Sequence, residues 1–436
     1  MRTTRMTRRS AAAAVCALAT ASVLSACGGA TASNELTWYI NPDGGGSDPT
    51  KGGQAQLAAE CAKASGGDYS IKIQLLPNEA SDQRQQLIRR LAAGDAGMDL
   101  MSIDPVNVAE FAEPGWLAEV PGSEKDKLVG DAVKPIVEAA TWKGKLVAAP
   151  MWANTQLLWY RKSVAAQAGL DMSKPVTWDQ LIDAAKKTKK TIGVQGKRYE
   201  GYMVWINALT EGAGSSIISK NPDNAKTMEF GLNSDAAVKA AGIIKKVAET
   251  GVGGPALSST TETTAVGLFT DPASSGFMLN WPYVWNAVPA ANKEIAADMA
   301  FARYPQTVAG TPSKPPLGGI AIGVNNASEK KDKAWKAIQC LTNAEHQKAY
   351  MLGTGNPAAR KSVYSEPEIE KAFPNGLAAM IRTSLDEGAA RPLTQFYGDV
   401  STAVQKAYSP PNSVGNATPG AAADLVQRVL KGEALL

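Results

Sequence analysis

Leu36-Thr37-Trp38-Tyr39-Ile40, followed by Asn41-Pro42-Asp43-Gly44-Gly45-Gly46, opens a run that closes at Met98-Asp99-Leu100-Met101-Ser102-Ile103-Asp104-Pro105. The first five residues are mostly β-formers and stop at a dense turn signal, which reads as a strand and its loop. Residues 52–65 predict a helix, and Tyr69 to Leu76 alternates as a second strand. Ser81 to Ala93 predicts another helix, with Leu87, Ile88 and Leu91 on one face, and Met98 to Ile103 is a third strand. Strand, helix, strand, helix, strand is the rhythm of a parallel sheet, so the fold class is α/β.

The same style continues toward the C-terminus. Lys145 to Pro150 and Gln156 to Tyr160 read as strands, and Thr177-Trp178-Asp179-Gln180 opens a helix with a capping box. A further helix is expected over 235–249, and short buried strands at Gly276 to Asn280 and Gly318 to Val324. One amphipathic helix is expected from Lys330 to about Met351, with Trp335, Ile338 and Leu341 inside. The chain is longer than one hydrophobic core usually supports, so two domains are expected.

Toward the N-terminus, residues 1–26 combine four arginines with an Ala-rich apolar stretch and small residues, the pattern of an export signal. Leu24-Ser25-Ala26-Cys27 resembles the bacterial lipobox, which implies lipidation of Cys27 and a tether over 27–33. Arg8-Arg9 leaves a twin-arginine export route open. The four arginines lost from 45 basic residues leave 41, matching the 41 acids, so the mature chain is formally neutral. That balance argues against nucleic acid and against a polybasic membrane patch, leaving the lipid as the membrane contact. Cys16 lies in the signal, so Cys61 and Cys340 remain as an even pair in an oxidising compartment, and a disulfide between them is expected. Two unpaired buried thiols are the alternative.

Six stretches then carry a resemblance. They are Asp99 to Asp104, Ala109 to Leu117, Asn154-Thr155-Gln156-Leu157-Leu158-Trp159-Tyr160-Arg161, Asn280-Trp281-Pro282-Tyr283, Gly318-Gly319-Ile320 and Ala390-Arg391-Pro392. In these the chain resembles the solute-binding lipoproteins of carbohydrate ABC importers, the maltodextrin-binding group, and within it the trehalose-binding lipoproteins of actinobacteria. The resemblance implies a two-lobed periplasmic-binding-protein-like fold with a hinge and an interlobe ligand cleft. It implies one lobe from 34–147 plus 312–359 and another from 148–311 plus 360–436. It further implies a monomeric sugar carrier on the outer face of the cell membrane, loaded with a glucose-containing disaccharide and docking on permease subunits.

A sugar needs hydrogen-bond partners around its rim and apolar or aromatic surface over its faces. Asp104, at a strand end, matches a sugar-binding Asp of the trehalose-binding relatives, and Asn154 matches a further contact. Arg391 would present a fork of donors to two hydroxyls, and Trp281 would stack on a ring, with Tyr283 beside it. Gly319, beside Gly318, would let backbone approach the ligand, while Asn41 and Asp43 in the Gly-rich loop are further candidates. Trp152 and Glu200 are weaker ones. The one histidine, His346, reads as part of a solvated helix face, so neither a zinc site nor a His-based hydrolase is expected, and no cofactor is implied. A glycoside hydrolase would need two placed carboxylates, for which Asp99, Asp104, Glu110 and Glu113 are the available acids. A carrier for another solute, such as a maltodextrin or a glycerophosphodiester, is the other alternative.

Overall fold

The computed structural model describes residues 34–436. The expected export signal, the lipid site at Cys27 and the tether lie outside the described residues.

Nine strands build two sheets. In chain order they are β1 Glu35–Ile40, β2 Ser70–Leu75, β3 Leu100–Ile103, β4 Ala148–Thr155, β5 Leu157–Arg161, β6 Thr191–Gly193, β7 Ser275–Asn280, β8 Met299–Ala302 and β9 Leu317–Val324. The first sheet runs β2-β1-β3-β9-β4 and the second β8-β5-β7-β6. β1 pairs in parallel with β2 and with β3, with Trp38 opposite both Ile73 and Leu100. The helices Gln54–Ala64 and Ala80–Ala92 supply the crossovers, as the strand–helix rhythm of residues 36–104 predicts. β9 lies antiparallel between β3 and β4.

Each sheet carries its own apolar core. Trp38, Leu100, Ile103, Phe111, Ile322 and Ile338 pack around the first sheet. Trp178, Trp205, Leu209, Ile244, Phe277 and Val404 pack on the second. A third cluster, with Trp159, Met278, Leu317, Phe373 and Leu385, joins the far side of the second sheet to the C-terminal helices. The fold is a two-lobed α/β architecture of the periplasmic-binding type. Sheet membership changes at Gln156, between β4 and β5, so β4 stays with the first sheet over its whole length.

The capping box at Thr177 is formed in full: its hydroxyl accepts from the Gln180 N–H at 3.1 Å, and the Gln180 side chain accepts from the Thr177 N–H at 2.9 Å. The long helix expected from Lys330 to Met351 is broken into Lys331–Leu341 and Ala344–Thr354. Asn343 makes the break, because its side-chain oxygen accepts from the His346 N–H at 2.8 Å and starts a new helix. The restart changes where the histidine goes. His346 does not stand on a solvated face. Its Nδ1 lies 2.6 Å from the carbonyl of Cys340 and 3.7 Å from each sulfur of the Cys61–Cys340 disulfide. That disulfide ties Gln54–Ala64 to Lys331–Leu341, with the two Cα atoms 5.8 Å apart.

Candidate functional site: a carboxylate-lined cleft

The carboxyl ends of parallel strands are where open α/β sheets leave room for ligands. β1 ends at Ile40, leading into Asn41 and Asp43, and β3 ends at Ile103, leading into Asp104. All three residues line one cavity of about 650 Å³. Asn154, Trp281, Tyr283, Gly319 and Arg391 line it as well, as do Trp152 and Glu200. Chain segments from both sheets therefore meet on one volume.

β9 forms part of the wall. Gly318 pairs with Asn154 and Gly319 with Ala153. Gly319 holds φ +122°, and a Cβ there would sit 2.3 Å from the carbonyl oxygen of Trp152. Only glycine fits that close approach of two backbones. A Cβ on Gly318 would meet the six-membered ring of Trp281 at 3.4 Å, so the indole lies directly over this bare backbone. Trp152 itself is buried and stacks on Tyr350 with ring centroids 4.9 Å apart.

Three helices begin at the cleft. Glu79 precedes Ala80–Ala92, Glu200 opens Glu200–Gly212, and Glu262 opens Glu262–Thr270 behind the Thr261 cap. Acidic side chains at helix amino ends are favoured by the unpaired N–H groups there, which explains why carboxylates collect on this wall. Glu79, Tyr199 and Glu262 line the cavity, as do Asn78, Gln83 and Asn356, and apart from Glu262 none of them carries a motif that marks it in the sequence. The Thr261-Glu262-Thr263-Thr264 cap was the one legible trace of Glu262.

The charged groups are arranged in pairs. The Nη2 of Arg391 lies 2.8 and 3.1 Å from the two oxygens of Asp104, and its Nη1 lies 2.5 Å from Glu200. The fork expected to serve sugar hydroxyls is thus engaged by two carboxylates, one following β3 and one opening the helix Glu200–Gly212. Glu200 also accepts from Tyr397 and, at 2.7 Å, from Ser401. Burial works against the Arg391 charge, but the fields of Asp104 and Glu200 outweigh it and hold its pKa well above the ordinary value. What Arg391 fixes is the orientation of Asp104.

Asp43 also does more than face the cavity. Its Oδ1 accepts from the N–H groups of Gly45 and Gly46 at 2.9 and 3.1 Å, and its Oδ2 from the Gln54 N–H at 2.8 Å. Tyr350 donates to Oδ2 at 3.2 Å. The side chain therefore organises the Gly-rich loop. Asn41 is held through Gln54, whose Nε2 donates to the Asn41 carbonyl at 2.9 Å.

Glu262 is different, since no basic side chain pairs with it among the described residues. Burial raises its pKa, and hydrogen bonds from Tyr199 and Trp281 offset part of that rise. Tyr283, in the same wall, has its hydroxyl pKa raised, by burial first and by the neighbouring Glu262 second.

Of the four acids available to a glycoside hydrolase, Asp104 alone lines the cavity. Asp99 is buried against Lys330 at 2.8 Å, Glu110 pairs with Arg84, and Glu113 pairs with Lys143 at 2.9 Å.

The chain is similar to known proteins over most of its length. The sequence model of the bacterial extracellular solute-binding proteins matches residues 56–375. A probable ABC transporter-binding protein of Deinococcus radiodurans is 27% identical over 393 residues, spanning 85% of this chain and 87% of that one. Maltose-bound T. maritima MalE3 superposes with a TM-score of 0.79 at 24% identity, covering 92% of this chain and all of that one (100%). An ABC transporter solute-binding protein from Agrobacterium vitis with bound D-mannitol gives a TM-score of 0.73 at 22% identity, covering 92% and 98%. The matched sequence spans most of the chain and contains most of the cleft, and the chain belongs to the family of bacterial extracellular solute-binding proteins.

Proposed function

We propose that this protein is the sugar-binding component of an ABC importer, and that its cleft holds a glucose-containing disaccharide, trehalose or a related α-glucoside. The observation that carries the reading is the make-up of the cleft. Its acidic and basic lining is five carboxyl groups (Asp43, Glu79, Asp104, Glu200, Glu262) and one guanidinium, Arg391, which is already paired. An anionic solute such as a glycerophosphodiester would meet an acidic surface with no free cation. A neutral polyol meets acceptors for its hydroxyls and, in Trp281, an indole for its C–H face. The D. radiodurans relative is named as an ABC transporter-binding protein, and the two solved neighbours hold maltose and D-mannitol, both neutral and polyhydroxylated. The trehalose-like preference follows from the sequence resemblance.

In this reading the lobes are 34–147 plus 312–359 and 148–311 plus 360–436, and they close about the crossing segments around the sugar. Asp104, Asn154 and Glu262 accept from or donate to hydroxyls, while Arg391 holds Asp104 in place. Lipidated Cys27 anchors the carrier to the outer face of the membrane, where the permease subunits receive the sugar from the closed form.

Calorimetric titration with trehalose, maltose, sucrose, D-mannitol and glycerophosphocholine tests this. An α-glucoside is expected to release heat, and Asp104→Asn or Trp281→Ala to weaken its binding at least about ten-fold, the scale of one charge-assisted hydrogen bond or one stacked ring. Binding of glycerophosphocholine without any sugar, or full affinity in both variants, refutes the proposal.

A further inference from the structure

Glu79 and Lys197 come from different halves of the molecule. Glu79 follows β2 of the first sheet, and Lys197 follows β6 of the second. The two meet at 3.1 Å, with side chains 38% and 42% exposed. Glu79 lines the cavity, and the Lys197 ammonium also lies 5.5 Å from the centroid of the Tyr199 ring. Tyr199 lines the cavity too and donates its hydroxyl to Glu262. A continuous chain of contacts thus runs from Glu79 through Lys197 and Tyr199 to Glu262, crossing from one side of the cleft to the other.

The deep pair Arg391–Asp104 also joins residues of the two halves, but its side chains are 4% and 18% exposed. Breaking that pair would leave buried charges unpaired. Lys197 and Glu79 instead rehydrate when they separate, so their contact can form and break at little cost. A pair that opens easily, stands across the cleft and braces a wall residue has the properties of a reversible closure.

We propose that Lys197 and Glu79 form an electrostatic strap over the cleft that favours the closed form and slows ligand release, with Lys197 a positioning residue acting through Glu79 and Tyr199. The inference rests on the sugar-carrier reading for the identity of the ligand, and on the ion pair alone for closure. Capture is little affected, because the strap forms only after the halves approach.

The test compares the intact protein with Lys197→Met, which keeps the aliphatic stem over Tyr199, with Glu79→Gln, and with the double variant. Stopped-flow fluorescence measures disaccharide association and release. Each single variant is expected to release about two- to five-fold faster, the range of one partly exposed pair, with association unchanged in Lys197→Met, whose side chain does not line the cavity. The double variant is expected to release no faster than the singles. Raising salt from about 50 to about 500 mM should speed release from the parent and leave the variants unaffected. Release rates equal to the parent's, or single effects that multiply in the double variant, overturn the strap.

Electron-spin distance measurements, with one label on each half, read closure without any sugar. A larger closed population in the parent than in Lys197→Met at low salt supports the strap, and equal populations overturn it. A parent that closes in this strap-dependent way while binding no saccharide refutes the sugar reading and leaves the strap standing.

Discussion

Replacing Arg391 by Met removes the one cation from the floor of the cleft and leaves two carboxylates facing each other across it. The side chains involved are 4% exposed for Arg391, 18% for Asp104 and 12% for Glu200, so solvent screens the loss poorly. Removing one partner from such a buried set costs about 3–5 kcal/mol, because the remaining charges stay desolvated. Against a total stability of about 5–15 kcal/mol for a folded domain, that is a loss of about a fifth or more. Adding Glu200→Gln to Arg391→Met removes one of the stranded charges and should recover part of the loss at about pH 7. Urea unfolding followed by tryptophan fluorescence, with parent and variants compared at that pH, measures both effects. A variant within about 1 kcal/mol of the parent, or a double variant no more stable than Arg391→Met, refutes the reasoning.

Three further outcomes are expected. Gly319→Ala forces a side chain into φ +122° and against the Trp152 carbonyl, so it should cost at least about 2 kcal/mol in chemical denaturation, and a silent substitution would refute the close approach of β4 and β9. Glu211, at the end of the helix Glu200–Gly212, has its pKa pushed up to about 7 by burial. A raised carboxyl pKa favours the folded state at low pH and costs stability as the pH rises from about 4.5 through about 7, so Glu211→Gln should raise the melting temperature above about pH 7 and little below pH 5. A parent-minus-variant difference that is flat with pH would remove Glu211 as the cause. Opening the Cys61–Cys340 link by replacing both residues with Ser frees two segments 279 residues apart in sequence. Thermal melts should show a loss of about 2–5 kcal/mol that a reductant reproduces in the parent but not in the variant.

The local grammar of the chain was readable because it depends on neighbours in sequence. The βαβαβ rhythm of residues 36–104 and the Thr177 capping box follow from alternation, period and turn chemistry, and the structure contains both, whereas the strand expected over Lys145 to Pro150 runs instead from Ala148 to Thr155 and takes in Asn154, because its pairing with β9 extends it. Asp104 and Asn41 were legible because they stand where strands end, and Trp281 and Gly319 because an aromatic at a strand end and a double glycine are conspicuous. A formal charge count needs no fold, so the expectation that the chain is not a nucleic-acid protein rests on composition alone.

What the tertiary structure decided was which charges are free and which are spent. Arg391 is 287 residues from Asp104 and 191 from Glu200, and nothing in their local sequence says that the fork closes on those two acids. Asp43 lines the cleft, but its oxygens also accept from the backbone of its own loop and from Tyr350, a pairing its local sequence does not show. Glu262, Tyr199 and Glu79 reach the cleft because three helices, each stable through its own packing, happen to begin there. His346 reads as a surface residue by its neighbours, but Asn343 restarts the helix and turns the ring onto the disulfide. Side-chain periodicity is a property of a few consecutive residues, whereas the pairing of buried charges depends on which distant segments the cores bring within a few ångströms, and only the folded chain determines that.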